Sequence, residues 1–279
     1  ALRARLPFTL TAGQESVLAE IDGELDRTVP MSRLLQGEVG SGKTLVALLA
    51  MLRVVDNGQQ CALLAPTEVL AAQHNRTIRT MLGDLGIGGE LGAAENATTI
   101  TLVTGSQRTA EKRQSLLDVV TGTSGIVIGT HALLQEKVEF FDLGFIVVDE
   151  QHRFGVEQRA VLADKAASRP HVLVLTATPI PRSVAMTIFG DLDLSTLSEL
   201  PGGRADVTTV VVDAANRPQW VDRAWERVVE EVGNGRQVFV VCPRIGGRGG
   251  VSDGKGVVEL ADELRSGPLA GVRLGVLHG

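Results

Sequence analysis

The chain has 279 residues, 44% of them hydrophobic and 3% aromatic with no tyrosine, and its formal net charge is -6. That length fits one large α/β domain or one and a half smaller ones, and no stretch nears the roughly 20 apolar residues of a membrane span. The negative balance excludes a surface that grips polyanions everywhere, and the scarcity of aromatics excludes base-stacking platforms of the single-strand-binding kind.

The first ten residues, ALRARLPFTL, hold arginines but neither an apolar core nor a small-residue cleavage site, so they do not read as a signal peptide. An alanine start suggests an excised segment. Cys61 and Cys242 sit far apart in apolar runs without CxxC spacing, which reads as buried thiols in a reducing compartment, the cytoplasm.

The stretch GEVGSGKT, Gly37 to Thr44, fits GxxxxGK[ST], with the apolar SRLLQ before it and the helix-forming LVALLAMLRVV after it. Its glycines, Gly37, Gly40 and Gly42, let successive N–H groups, including that of Ser41, point at phosphate oxygens. The helix that follows adds its positive end. Lys43 is expected to reach the β and γ phosphates of a nucleotide and the Thr44 hydroxyl to ligand Mg²⁺. A second glycine and lysine run, Gly249 to Gly256, lacks that hydroxyl and reads as a surface loop.

Next come nearly continuous apolar runs at Cys61 to Thr67, Ile100 to Gly105, Gly125 to Thr130, Phe145 to Glu150 and Val172 to Thr178. Continuous apolarity marks strands covered on both faces. Helical patterns at Val69 to Leu82, Ala110 to Val120 and Val156 to Ala166 lie between them, so the alternation predicts a doubly wound parallel α/β sheet. Asp149 and Glu150 end the most apolar run, at the strand edge where open α/β sheets bind ligands. Asp149 is placed to hold Mg²⁺ and Glu150 to orient or deprotonate the attacking water. The adjacent Gln151 and His152, with Thr176 and Thr178 of TATPIPR, are candidates for relaying a change of nucleotide state.

SELPGGRADV interrupts the pattern and reads as a linker, 199–206, between a domain at 1–198 and a second part at 207–279. That second part offers strand candidates at Val207 to Asp213, Gln237 to Cys242 and the terminal VRLGVLHG, with a helix around Trp220 to Val232. Trp220 and Trp225 are expected to pack in its core. With about 75 residues it reads as half a domain, cut short.

The ordered series LTAGQ, GSGKT, APTEVLAAQH, VTGS, GTHALLQ, DEQHRFGVEQR and TATPIPR resembles the motifs of superfamily 2 helicases, from about Leu6 onward. The last motifs, with SELPGGR, resemble the bacterial branched-DNA translocases within that superfamily. The resemblance implies a RecA-like P-loop NTPase fold, one complete motor lobe plus part of a second, and an ATP-driven motor acting on branched double-stranded DNA, replication forks and four-way junctions, in recombination and repair. It implies that Phe8 and Gln14 read the adenine, and that Pro66, Thr67, Thr104, Gly105, Ser106, Thr130 and His131 meet the DNA backbone. The family's wedge domain and the later motifs of its second lobe, including the arginines that enter the ATP site, are not among these residues. Weak turnover is the expectation for this polypeptide alone. Two alternatives stay open: a transcription-repair coupling translocase, and a nucleotide-gated binding module that does not cycle.

Overall fold

Strands that are apolar at every position need cover on both faces, and that demand organises the larger part of the molecule. The structure, a computed structural model, describes residues 2–89, 91–135, 137–149, 162, 165–166, 169–178, 192–199, 207–246 and 256–278. The chain divides into two compact units, Ala1–Arg204 and Ala205–Gly279.

In the first unit the strands are β1 (Ser32–Gly37), β2 (Gln60–Leu64), β3 (Thr99–Val103), β4 (Ser124–Gly129), β5 (Leu143–Asp149), β6 (His171–Thr176) and β7 (Asp193–Leu197). They form one sheet in the order β3-β4-β2-β5-β6-β1-β7, every described pair parallel. Its described α-helices are α1 (Ala12–Leu25), α2 (Lys43–Asp56), α3 (Glu68–Leu82) and α4 (Thr109–Val120). This is the RecA-like doubly wound layer.

Because side chains alternate across a strand, each central strand feeds two cores. Leu35, Cys61, Leu63, Ile126, Ile128, Phe145, Val147, Leu173 and Leu175 join α1, α2 and α3 in one core. Leu34, Ala62, Leu64, Val127, Ile146, Val148 and Val174 face the other, with Val119 of α4 and Leu133. Asp149 has the parity of Phe145 and Val147, so it leaves the sheet toward the side of α2 and α3.

Two elements lacked the periodicity that marks the rest. Helix α1 starts with a capping box, Thr11 and Gln14 bonding each other's backbone N–H groups, a signal carried by LTAGQ. Strand β7 is an edge strand with exposed and buried positions mixed, which conceals it in the sequence.

Arg33 of β1 ties this edge together. Its guanidinium donates to both carboxylate oxygens of Glu24, at 2.9 and 2.6 Å, and to Glu20 at 3.0 Å. The Arg33 hydrogen bond holds the Glu24 carboxyl below the usual carboxylate range, and the Glu24 hydrogen bond raises Arg33. A depressed carboxyl contributes stability that is complete above its unfolded value, about 4.3, and is lost as pH falls through the folded value. The melting-temperature gap between the wild type and Glu24→Gln is therefore expected to be constant above about pH 5 and to shrink below about pH 4. Arg33→Met leaves a buried carboxylate unpaired and is expected to cost about 3–5 kcal/mol at neutral pH. Denaturant and thermal melts check both.

The second unit departs from expectation. It contains α5 (Pro218–Gly233) and α6 (Val257–Ser266), but the expected strands at Val207 to Asp213, Gln237 to Cys242 and from Val272 form no ladder among the described residues. Val211, Phe239, Val241 and Leu277 stand exposed. Gln237–Val240 and Val272–Val276 instead line, with Val228, Val232, Leu260 and Leu264, a cavity of about 420 Å³. An apolar run becomes a stable strand only when neighbouring strands satisfy its backbone, and among the described residues these runs have no such neighbours. On α5, Val221, Trp225, Val228 and Val232 form a half-buried stripe, whereas Trp220 is exposed beneath the Arg217 guanidinium, 5.9 Å from its ring centroid. The expectation of core packing therefore fails for Trp220, because α5 buries no residue fully.

Candidate functional site

All seven strands point the same way, so the segments that follow them emerge along one edge of the sheet. The register sets their spacing. Asp149 pairs with Leu175, and Leu175 pairs with Leu35 two residues before Gly37. The tip of β5 thus lies one strand away from the tip of β1, about 10 Å at the usual interstrand spacing. A phosphate chain with its metal spans that distance.

The turn after β1 is built for close approach. Gly40 and Gly42 have φ of 88° and 89°, in the left-handed region. A Cβ on Gly37 would stand 2.6 Å from Ser41 Oγ, and one on Gly42 2.3 Å from Gln14 Nε2. A side chain at Gly37 would crowd Ser41 and the Leu197 backbone, and one at Gly42 would displace the Gln14 amide and strain a left-handed backbone.

Helix α2 starts in this turn without a side-chain cap. By contrast α1 is capped by Thr11 and α3 by Thr67. Among the described residues the buried Ser41 hydroxyl has no hydrogen-bond partner, and the same holds for Gln36 Oε1. Uncapped helix amides, glycine backbone and a buried orphan hydroxyl form a cradle suited to an anion. Lys43 Nζ donates to the Gly37 and Glu38 carbonyls at 2.7 and 2.9 Å, holding its ammonium over the same turn. Thr44, half-buried in the first turn of α2, follows it. These residues fit a nucleotide triphosphate, and Thr44 with Asp149 could hold its Mg²⁺, oxygen donors that suit a hard cation.

Gln14 is buried, and its amide is engaged at both ends: Oε1 accepts from Thr11 N–H at 3.0 Å and Nε2 donates to the Ser41 carbonyl at 2.8 Å. Gln14 therefore braces the turn directly. Each end keeps a second position, one lone pair on Oε1 and one N–H on Nε2, that could meet an adenine edge. Phe8 is 53% exposed and lines a surface cavity of about 380 Å³ with Leu6, Pro7, Thr9 and Leu10.

Asp149 has a partner that the sequence did not advertise. Its Oδ2 lies 2.6 Å from Nε2 of His74, on α3, and both side chains are largely buried. Thr176 is buried and bonds Thr178, their hydroxyl oxygens 3.1 Å apart, so this pair is joined within one turn. Glu150, Gln151 and His152 lie outside the described residues.

The remaining candidates lie at the ends of β2, β3 and β4. Thr67 Oγ1 accepts from Leu70 N–H at 3.3 Å and Thr130 Oγ1 from Ala132 N–H at 3.4 Å. The Thr104 amide donates to Gln107 Oε1 at 3.0 Å. Thr104 and Thr130 are buried, Pro66 is half-buried, and Gly105, Ser106 and His131 are exposed. The first two shape the loops; the last three present them.

Glu68, also without a role in the sequence reading, joins two of these loops. It accepts from the Ser106 amide at 3.0 Å and from the Ser106 hydroxyl. The Ser106 hydroxyl chiefly, aided by the Ser106 and Gly105 amides and the charge of His131, keeps its carboxyl below the usual range. Both missed residues stand in APTEVLAAQH: His74 lies within the expected helix and Glu68 one residue before it, and their partners were not legible.

The sequence profile of the family described as DEAD/DEAH box helicase matches residues 11–187, well over half of the chain. The chain belongs to that family. Among curated helicases, it is 56% identical to the "ATP-dependent DNA helicase RecG" of Mycobacterium tuberculosis over 100% of this chain and 39% of that protein. It is 45% identical to the Aquifex aeolicus protein of the same name, over 86% of this chain and 29% of the relative. This helicase chain thus spans well under half the length of the curated relatives it matches. The solved structure "RecG bound to three-way DNA junction" superposes with a TM-score of 0.73 at 35% identity, covering 95% of this chain and 32% of that one. Mss116 bound to ssRNA, at 17% identity and a TM-score of 0.57, shares the helicase fold.

Proposed function

We propose that this chain is the ATP-hydrolysing part of a cytoplasmic DNA helicase that moves along branched duplex DNA, forks and four-way junctions, during recombination and repair. Residues 1–198 form the first motor lobe, 199–206 the linker and 207–279 the start of the second lobe. The observation that carries the reading is the uncapped glycine turn of α2 and the Asp149 carboxylate on one sheet edge, separated by a single strand. Identity of 56% to RecG along the whole chain supports the choice of branched DNA.

The glycine turn holds the phosphates with its N–H groups, and Lys43 neutralises charge that develops on the β and γ oxygens. Thr44 and Asp149 would hold Mg²⁺, which would polarise phosphoryl oxygens when bound. Glu150 orients or deprotonates the attacking water. Phe8 and Gln14 contact the adenine side, Gln14 through the turn it braces. Gln151, His152, Thr176 and Thr178 pass the change of nucleotide state to the loops at Pro66, Thr67, Thr104, Gly105, Ser106, Thr130 and His131. Their contacts go to phosphates and are independent of sequence.

The test is phosphate release by the intact protein with fork, four-way junction and linear duplex DNA of equal length. Stimulation is expected to be stronger with the branched substrates, and Glu150→Gln is expected to lower the stimulated rate about 10²–10⁴-fold. Equal rates with and without branched DNA would overturn the substrate. An unchanged Glu150→Gln rate would remove the general base.

A further inference from the structure

Helix α3 buries Ala71, Ile78 and Leu82 against the sheet. His74 stands three residues after Ala71 and four before Ile78, so it occupies the same helix face. A polar ring on a core-facing stripe is costly unless it is hydrogen-bonded. Its Nε2 lies 2.6 Å from Asp149 Oδ2, with side-chain exposures of 12% and 15%. A carboxylate can only accept, so Nε2 carries the hydrogen.

The contact joins residues 75 apart in sequence, and the strand parity that turns Asp149 toward α3 makes it possible. It engages one carboxylate oxygen and leaves Oδ1 with no described hydrogen bond to another side chain. Carboxylates that ligate metals are commonly fixed in this way by a second residue, whose loss costs about 10–100-fold in metal affinity or activity.

We propose that His74 is the positioning residue for the Asp149 carboxylate and sets how tightly Mg²⁺ is held beside the nucleotide. This rests on the reading of Asp149 as a magnesium carboxylate. His74 donates to Oδ2, fixes the side-chain rotamer and presents Oδ1 to the metal or its water. The bond also anchors that carboxylate to the helix whose first turn Thr67 caps, two turns away.

The experiment titrates Mg²⁺ against binding of a fluorescent ADP analogue to the intact protein, without turnover, in the wild type, His74→Leu, His74→Gln and Asp149→Asn. Leucine keeps the apolar packing and removes the donor; glutamine places an amide N–H near the position of Nε2. His74→Leu is expected to raise the Mg²⁺ concentration for half-maximal effect about 10-fold, with metal-free ADP affinity unchanged and the melting temperature lowered, because the largely buried Asp149 carboxylate loses its donor. His74→Gln is expected to restore most of that loss. A His74→Leu curve that overlays the wild type while Asp149→Asn shifts it would overturn this inference alone. A His74→Gln protein that melts normally but responds to Mg²⁺ like the leucine variant would also overturn it. An Asp149→Asn curve that overlays the wild type would remove the magnesium assignment, and the inference with it.

Discussion

Lys43→Ala is expected to lower ATP turnover by the intact protein at least about 10²–10³-fold, the effect of removing a single preorganised electrostatic contact. The ammonium bridges the Gly37 and Glu38 carbonyls at 2.7 and 2.9 Å, so it is already aimed at the turn before any nucleotide arrives. The two carbonyls hold the ammonium at the turn, and its charge is expected to count most where negative charge develops on the β and γ oxygens in the transition state. Lys43 is half-buried at the start of α2, outside both cores, so the melting temperature without nucleotide should change little. Phosphate release and a thermal melt on the same sample separate the two. A Lys43→Ala protein with normal turnover would contradict the site.

Asp149→Asn is expected to reduce turnover about 10²-fold or more and to abolish the increment that Mg²⁺ adds to ADP binding, leaving metal-free binding intact. The substitution keeps size and an acceptor oxygen for His74, so what disappears is the charge. A divalent cation bound by few protein groups depends heavily on each carboxylate. Binding of the fluorescent analogue in EDTA and in excess Mg²⁺ reads the metal contribution directly. Normal turnover would exclude Asp149 from the metal site and leave the uncapped turn of α2 as a phosphate cradle without a catalytic partner.

These two residues were legible because their signals are local. A P-loop is a contiguous run between a strand and a helix, and Asp149 ends the most continuously apolar run of the chain. The strand bodies were legible as well: the apolar runs fall within a few residues of β2 to β6. Strand β7 was not, because an edge strand need not be apolar on both faces. In the second unit the apolar runs form no ladder among the described residues and are exposed or half-buried, so pattern alone overstated its order.

By itself, then, the sequence determined strands β1 to β6 and helices α2 to α4 of the first unit and the glycine turn between β1 and α2, since these depend on neighbours in the chain, while the expected helix at Val156 to Ala166 lies largely outside the described residues. Only the tertiary structure decided the order β3-β4-β2-β5-β6-β1-β7, the single strand separating Asp149 from the cradle, and the partners of Gln14, Glu68 and His74. Strand order and side-chain partners arise from packing between distant segments, and a one-dimensional pattern specifies that a face must be buried but not what buries it.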